Sequence, residues 1–372
     1  MAPLAIPAAV LTQAQQVADD FTAHTGVTVD AAELLTGRAA LLDLAPRGQI
    51  SAGGATRLLA GRDGWCALTL SRADDIAAVP ALLQADTMAA DPWPAIREWV
   101  ATQTVADVAE RARLLGLPAA VLGETAPAPP VVRPLGPAGA GSLTGLLVAD
   151  LSSMWAGPLC GQLLARAGAT VVKVESRDRP DGTRAGAAEF FDWMNAGKLS
   201  YATDFDQPGD LAALLDVADV VIEASRPAAL TRRGLGPDTR TVRPGRIWLR
   251  ITGHGTDGEA ADWVAFGDDA AASGGLIEYR DGAPVFIGDA IADPVTGLHA
   301  AAAVAASRAG GGGELIEFSM AAVAAGYAAL PGAAIDAEVV PVRPAVAQAG
   351  PALAADNAAV RRLIAERFSA PC

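Results

Sequence analysis

The chain has 372 residues, of which 51% are hydrophobic and only 5% aromatic, a length that accommodates two domains with cores of small aliphatic side chains. Its formal net charge of −14 disfavours nucleic acid as a partner, although a local group of Lys and Arg would still attract an anionic ligand. The longest alanine-rich apolar stretch, 298–307, is too short to span a bilayer, and residues 1–10 lack the basic start of a secretory signal, so we expect a cytoplasmic protein without a membrane partner.

The first third of the sequence has the pattern of a modest α+β unit. Residues 10–25 have helical spacing, residues 48–70 hold two strand-like runs around Asp63-Gly64, and residues 92–115 are again helical. Segment 126–142, APAPPVVRPLGPAGAGS, contains five prolines and is typical of an interdomain linker. We therefore expect a small α+β domain over residues 1–125.

Apolar strands alternate with helical stretches after this segment. Strand-like runs occupy residues 146–150, 170–174, 220–223 and 247–252. The alternation predicts an α/β fold, a Rossmann-like doubly wound parallel sheet over residues 143–325. Residues 326–372 are expected to form a C-terminal extension that closes with a helix at 356–368.

Residues 145–175, GLLVADLSSMWAGPLCGQLLARAGATVVKVE, form the most informative unit. They read as strand, loop, helix and strand, with Gly168 just past the helix, where a left-handed backbone suits glycine. Ligands of such sheets bind at the carboxyl ends of strands, beside helix N-termini that favour phosphates. Residues 145–175 contain neither G-x-G-x-x-G nor G-x-x-x-x-G-K-[ST], so this unit would not hold a nucleotide-like ligand as NAD or ATP are usually held.

The three cysteines, Cys66, Cys160 and Cys372, have no C-x-x-C spacing, and neither a metal site nor a disulfide framework is expected. Cys160 follows the Gly157-Pro158 turn and could act as a nucleophile. A small buried apolar residue is the commoner role of a free cysteine.

Six ordered segments resemble the family III CoA-transferases (CaiB/BaiF), the group that contains formyl-CoA transferase, carnitine CoA-transferase and α-methylacyl-CoA racemase. The resemblance covers about residues 145–319. The segments, with their first residue numbers, are VADLSSMWAGPLCGQLLARAGATVVKVE (148), NAGK (195), ADVVIEASRPAALTRRGLG (218), ITGHGTDG (251), DPVTGLH (293) and GGGGELIEFS (310).

The order of the domains differs from the family pattern. Residues 48–122, with Asp63-Gly64-Trp65 and the GLPAAV that begins at Gly116, resemble the family's small domain, which normally follows the nucleotide-type domain. The chain therefore looks circularly rearranged, and the family's interlocked dimer does not carry over directly. We expect the strands around Trp65 to cover the active site and exclude water, in a homodimer with its site at a domain junction.

The resemblance implies that Asp293, in D-x-x-x-G-[LM]-H, is the nucleophile toward an acyl-CoA thioester. A carboxylate attacks the thioester to give a mixed anhydride, and the released CoA converts it into an aspartyl thioester. The alternative is that Asp293 is a helix N-cap. Asp289, Asp268 and Asp269 compete for the role, and His299 is a candidate for proton transfer or for simple packing.

CoA recognition is implied for the first loop and its neighbours. By resemblance Trp155, Ala156 and Gly157 would touch the pantetheine or pyrophosphate, and a basic and polar set would contact the nucleotide: Lys173, Arg177, Ser225, Arg226 and Arg233. Lys173 and Arg177 could equally form a solvated charged rim. The family's E-N-F-R-P-G is here E-A-S-R-P-A, a change that would weaken nucleotide binding.

The expected function is movement of CoA between an acyl-CoA and a small carboxylic acid, by a transferase of sulfur-linked groups whose CoA is a substrate rather than a tightly bound cofactor. One alternative is a catalytically degenerate CoA-binding protein. The other is an acyl-CoA racemase or dehydratase of the same superfamily, which the lack of a His before Ser273-Gly274 disfavours. The sequence does not identify the acid.

Overall fold

A computed structural model describes residues 3–86, 89–139, 141–226, 228–331 and 338–369. Over these ranges, no helix is both long and apolar enough to cross a membrane. Cys372 lies outside them.

The N-terminal third contains two long helices followed by a small antiparallel sheet with three more helices. Its elements are β1 (Leu4–Ala5), α1 (Ala8–Thr25), α2 (Ala31–Leu42), β2 (Thr56–Ala60), β3 (Trp65–Thr69), α3 (Ala73–Leu83), α4 (Trp93–Val100), α5 (Val105–Leu114) and β4 (Ala119–Val121).

The longer C-terminal part alternates strands with helices. Its elements are β5 (Val131–Pro134), β6 (Leu147–Asp150), α6 (Ala156–Arg166), β7 (Thr170–Ser176), α7 (Ala188–Asn195), β8 (Leu199–Thr203), α8 (Gly209–Val217), β9 (Val220–Glu223), α9 (Ala228–Thr231), β10 (Ile247–Thr252), α10 (Gly267–Ser273), β11 (Glu278–Arg280), β12 (Ala283–Val285), α11 (Ala292–Ala309), β13 (Glu314–Ser319), α12 (Met320–Ala328), β14 (Glu338–Val339) and α13 (Asn357–Ser369).

A seven-stranded sheet in the order β5-β13-β10-β9-β6-β7-β8 organises this part. All neighbouring pairs are parallel except β5 with β13. The chain moves outward from β6 through β7 to β8, then returns to β9 on the other side of β6. Between β6 and β9 the strand order therefore reverses, and at such a point adjacent loops diverge and leave a crevice.

The strands form where the sequence predicts them because both faces of the sheet are covered. Every residue of β6, β9 and β10 is buried, and apolar runs are typical of strands covered on both sides. Gly168 has φ +94° at the end of α6, as expected for the position after a helix. Strand β8 was not predicted, since Leu199–Thr203 mixes polar and apolar residues.

At two places the elements pack differently from the expected division into domains. Within the expected linker 126–142, Val131–Pro134 forms the edge strand β5, because backbone groups of these residues pair with the exposed edge of β13. Helices α1 and α2, expected in the small domain, share a core with α6 and α11. Their buried apolar side chains cover α11, which an isolated small domain could not do.

The small sheet β2-β3-β4 packs on α10. The side chain of Thr69 donates a hydrogen bond of 2.8 Å to Asp269, and the backbone N–H of Gly123 donates to the carbonyl of Ala272 over 2.9 Å. Trp65 packs against the cluster that joins the small sheet to α10. The short strands thus lie directly over the start of α10, which borders the candidate site.

Candidate active site

Asp293 lies in the first turn of α11, where three helices converge. Its carboxylate accepts hydrogen bonds from the backbone N–H groups of Ala156 and Gly267, which are the first residues of α6 and α10. Free N–H groups at helix N-termini stabilise an anion. Asp293 does not cap its own helix, so the N-cap interpretation does not describe its contacts.

Glycines bring the three helices close together. A Cβ on Gly267 would lie 2.4 Å from Asp293 Oδ2 and 2.3 Å from the carbonyl oxygen of Ala290. A Cβ on Gly297 would lie 2.5 Å from the carbonyl oxygen of Ala156, so the D-x-x-x-G spacing lets α11 pack against the start of α6. The motif therefore encodes a close approach of backbones as well as a carboxylate.

Two cavities meet at Asp293. An outer groove of about 420 Å³ runs along the carboxyl ends of β6, β9 and β10, and an inner cavity of about 160 Å³ lies toward α2 and the small sheet. Asp293, Met154 and Phe266 line both. Met154 has φ +73°, an uncommon conformation for a residue with a Cβ, and strain of this kind clusters at functional sites.

The outer groove carries three arginines in a chain that is strongly acidic overall. Arg179 and Arg226 are exposed and, in the residues described, have no carboxylate partner. Arg72 comes from the small domain and pairs with Asp75. Unpaired guanidinium groups beside backbone N–H donors are suited to phosphates, so the groove can hold an anionic, extended ligand.

The inner cavity has a different chemistry. Arg38 of α2 lines it together with Thr56 and Thr69 of the small sheet. Asp268 is buried at its wall and accepts a hydrogen bond from the backbone N–H of Ala290 at 3.1 Å. The cavity therefore combines one guanidinium, hydroxyl groups and a buried carboxyl, enough to orient a small polar molecule beside Asp293.

The carboxyl groups around this cavity hold protons more tightly than usual. Burial raises the pKa of Asp293 to about 7; Arg38 and the helix N–H groups oppose this, and Asp268 adds to it. Burial likewise raises the pKa of Asp289 to about 6 against the opposing effect of Arg38, and raises that of Asp268. Perturbed carboxyl groups in a cleft are typical of functional sites.

Five of the expected CoA contacts lie at these cavities. Ala156, Gly157, Ser225 and Arg226 line the outer groove. Trp155 lies at the inner cavity, where its ring makes an edge contact with Phe190 at 5.3 Å between centroids. Its side chain is 1% exposed, so it forms a wall of the inner cavity.

Three other expected contacts are not brought to the groove. Lys173 is fully buried because β7 is an interior strand covered on both faces, and its Nζ lies 2.7 Å from Asp181 Oδ2. Lys173 therefore belongs neither to a solvated charged rim nor to a phosphate site. Arg177 lines a separate hollow between the ends of β7 and β8. Arg233 pairs with Asp206 at the surface.

The two residues expected to assist Asp293, His299 and Asp289, lie in different surroundings. His299 lies more than a turn beyond Asp293 on α11 and contacts the Tyr327 hydroxyl at 3.0 Å; burial lowers its pKa to about 4, which fits packing rather than proton transfer. Asp289 is fully buried and pairs with Arg38 at 3.0 Å, close to the inner cavity. Cys160 is buried, and burial raises the pKa of its thiol, so it is a poor nucleophile.

Sequence reasoning missed Arg38, Arg72 and Arg179. Arg38 precedes both segments that resemble the family, Arg72 lies within the segment 48–122 that resembles its small domain, and no local pattern around either residue indicates a site. Arg179 stands two residues after Arg177, in the run SRDRPDG, where a cluster of charges could have drawn attention to it.

Comparison with known proteins agrees with the motifs. The sequence model of a family described as CoA-transferase family III matches residues 143–349. A succinate–glutarate CoA-transferase of Agrobacterium fabrum is 33% identical over 185 residues, 44% of this chain and 46% of that protein. An acyl-CoA transferase of Fusarium pseudograminearum is 34% identical over 180 residues, 42% of this chain and 40% of that protein.

Among solved structures, a CaiB/BaiF family protein from Brucella suis is 31% identical, with 50% of this chain and 55% of that chain covered and a TM-score of 0.46. The chain thus spans about half the length of the relatives it matches.

Proposed function

The chain belongs to CoA-transferase family III, and on this premise we propose that it moves CoA between an acyl-CoA thioester and a carboxylic acid, with Asp293 as the acyl acceptor. One observation carries the proposal. The Asp293 carboxylate lies at the junction of a groove suited to phosphates and a small polar cavity, held by the N–H groups of Ala156 and Gly267.

The first half of the reaction forms an aspartyl thioester. A carboxylate oxygen of Asp293 attacks the thioester carbonyl, the C–S bond breaks, and CoA thiolate leaves a mixed anhydride. The thiolate then attacks the aspartyl carbonyl, which releases the donor acid and leaves CoA on Asp293. The second half repeats these steps in reverse with the acceptor acid, and no proton or external energy source is required.

The backbone donors have a second role in this proposal. Once one oxygen of Asp293 is acylated, the other becomes a carbonyl oxygen that faces the N–H groups of Ala156 and Gly267. Attack on that carbonyl develops negative charge on this oxygen, and preorganised donors stabilise such charge. The same two groups would thus hold the carboxylate and its tetrahedral intermediates.

The groove would hold the CoA nucleotide, with Arg179 and Arg226 toward its phosphates and the pantetheine leading to Asp293. The strand order, with its reversal between β6 and β9, supports a Rossmann-like interpretation of this part of the chain. The hydroxyl-bearing strands of the small domain line the inner cavity and would exclude water from the anhydride.

We further propose a homodimer, which sedimentation at micromolar concentration would test.

The test is to trap the covalent intermediate. Incubation with acyl-CoA and hydroxylamine should convert Asp293 into a hydroxamate, which peptide mass mapping would locate, and the loss of activity should follow its formation. Asp293→Asn should abolish both trapping and CoA exchange, whereas Asp20→Asn, an exposed substitution on α1, should retain both. Full exchange activity in Asp293→Asn would exclude the nucleophile role.

The racemase alternative gains no support from the site. No histidine lines either cavity within the described ranges, and the two-base reaction needs a second base. Incorporation of solvent deuterium at the α-carbon of an acyl-CoA would favour racemisation, and saturable CoA binding with neither activity would favour a degenerate binding protein.

A further inference from the structure

The guanidinium of Arg38 faces the inner cavity with donors that the protein does not use. Its Nε pairs with Asp289 Oδ2 at 3.0 Å. Its Nη2 lies close to Gly53 at the cavity wall, where a Cβ added to this glycine would be 3.0 Å from that nitrogen. Asp289 is the carboxylate that pairs with this group, and no other residue that the structure describes accepts a hydrogen bond from it. An arginine with five N–H donors therefore retains free donors in a confined space beside Asp293.

Two aromatic rings hold this guanidinium in place. Its central carbon lies 5.2 Å from the ring centroid of Trp155 and 5.5 Å from that of Phe190. The two rings contact each other edge to face, and both are largely buried. Contacts with aromatic rings and an ion pair restrict an otherwise flexible side chain, so its free donors are preorganised for a planar anion such as a carboxylate.

The charges around Arg38 change during the proposed reaction. In the free protein the guanidinium is near three carboxyl groups, those of Asp268, Asp289 and Asp293, which disfavour a further anion. Conversion of Asp293 into a thioester removes one of these negative charges. The inner cavity then becomes more favourable for an anion, and this occurs at the stage when the acceptor acid must enter.

We propose that Arg38 binds the carboxylate of the acceptor acid once Asp293 carries CoA, and that the inner cavity restricts this acid to a short chain. The inference rests on the proposed function and deepens it. The cavity of about 160 Å³ corresponds to on the order of five water molecules, which accommodates a short aliphatic acid and excludes a long one.

Arg38 would assist the transfer of CoA from Asp293 to the acceptor acid, in which each bond that forms is matched by one that breaks. A carboxylate oxygen of the acceptor attacks the aspartyl thioester carbonyl, the C–S bond breaks, and CoA leaves as the thiolate with a mixed anhydride on Asp293. The thiolate attacks the acceptor's carbonyl carbon, the C–O bond to the aspartyl group breaks, and the Asp293 carboxylate is restored. Arg38 keeps its proton throughout.

The experiment separates the two halves of the reaction. With acetyl-CoA as donor, hydroxylamine trapping at Asp293 reports the first half, and exchange of CoA to labelled acetate, butyrate or octanoate reports the complete reaction. Both rates are measured on the alkaline side of the Asp293 titration, because loss of the Arg38 charge raises the pKa of that carboxyl group. There Arg38→Met should raise the acceptor KM at least tenfold and slow trapping much less, and Arg38→Lys should lie between Arg38→Met and the wild type. Arg97→Met, at an exposed position on α4, is the matched control.

The wild type should also favour acetate or butyrate over octanoate by at least tenfold in kcat/KM. An unchanged acceptor KM in both Arg38 variants, an equal loss of trapping and exchange in Arg38→Lys, or equal use of octanoate would overturn the inference while leaving Asp293 as the nucleophile. A wild type that neither traps nor exchanges CoA would overturn the proposed function together with the inference.

Discussion

Replacement of Gly267 by alanine should displace the Asp293 carboxylate, the proposed nucleophile, without removing it. The new Cβ would lie 2.4 Å from Asp293 Oδ2 and 2.3 Å from the backbone oxygen of Ala290, and contacts below 3.0 Å require a shift of one partner. The Ala290 oxygen belongs to the backbone and yields little. The carboxylate and the first turn of α10 must therefore separate, and the hydrogen bond from the N–H of Gly267 to Asp293 is weakened.

The size of the effect follows from that bond and that contact. In the proposed reaction this N–H also stabilises the negative charge that develops on the aspartyl carbonyl oxygen, and removal of one such donor typically lowers kcat by about 100-fold or more. Weakening of the bond should therefore lower kcat by on the order of 10- to 100-fold. Overpacking of this kind destabilises a protein by about 1 to 3 kcal/mol. Gly267→Ala should thus reduce activity strongly and stability moderately.

The assay compares kcat for CoA exchange and urea unfolding of the wild type, Gly267→Ala and Gly326→Ala. Gly326 lies inside α12, and a Cβ there would meet nothing within 4 Å, so alanine should leave kcat unchanged and stabilise the protein by about 0.5 to 1 kcal/mol. A Gly267→Ala protein with native kcat would refute the claim that this N–H holds the reacting carboxylate.

Three further outcomes follow from the charges. Because burial raises the pKa of Asp293 to about 7 and the proposed mechanism needs its ionised form, kcat/KM should rise nearly tenfold from pH 6 to pH 8; a flat profile would contradict this. Lys198→Met leaves the fully buried Asp150 without its ion-pair partner and should lower the free energy of unfolding, measured with urea, by about 3 to 5 kcal/mol. Arg361→Met, at an exposed ion pair, should leave the urea midpoint unchanged. Arg226→Ala should raise the KM for acyl-CoA about tenfold with little change in kcat, and an unchanged KM would remove Arg226 from the groove's phosphate contacts.

Much of the large sheet was predictable from local pattern. The runs at 220–223 and 247–252 coincide with β9 and β10, because strands buried on both faces must be continuously apolar. The resemblance of D-x-x-x-G-L-H to the family motif singled out Asp293, and in the structure this carboxylate lies one turn from Gly297, which allows α11 to pack closely on α6. Both features are encoded within a few residues, where a single sequence is most informative.

The tertiary structure alone decided which charged groups are free. Lys173 and Arg177 are near neighbours in sequence, yet an interior strand buries the first against Asp181 while the second reaches the surface. Arg38 is more than 250 positions from Asp293, and only the packing of α2 over α11 brings it to the same cavity. The amino-acid sequence by itself determined most strands of the large sheet and pointed to Asp293 as the candidate nucleophile, because these features depend on residues close together in the chain. The burial and pairing of each charge depend on which distant elements pack together, and no local spacing encodes that.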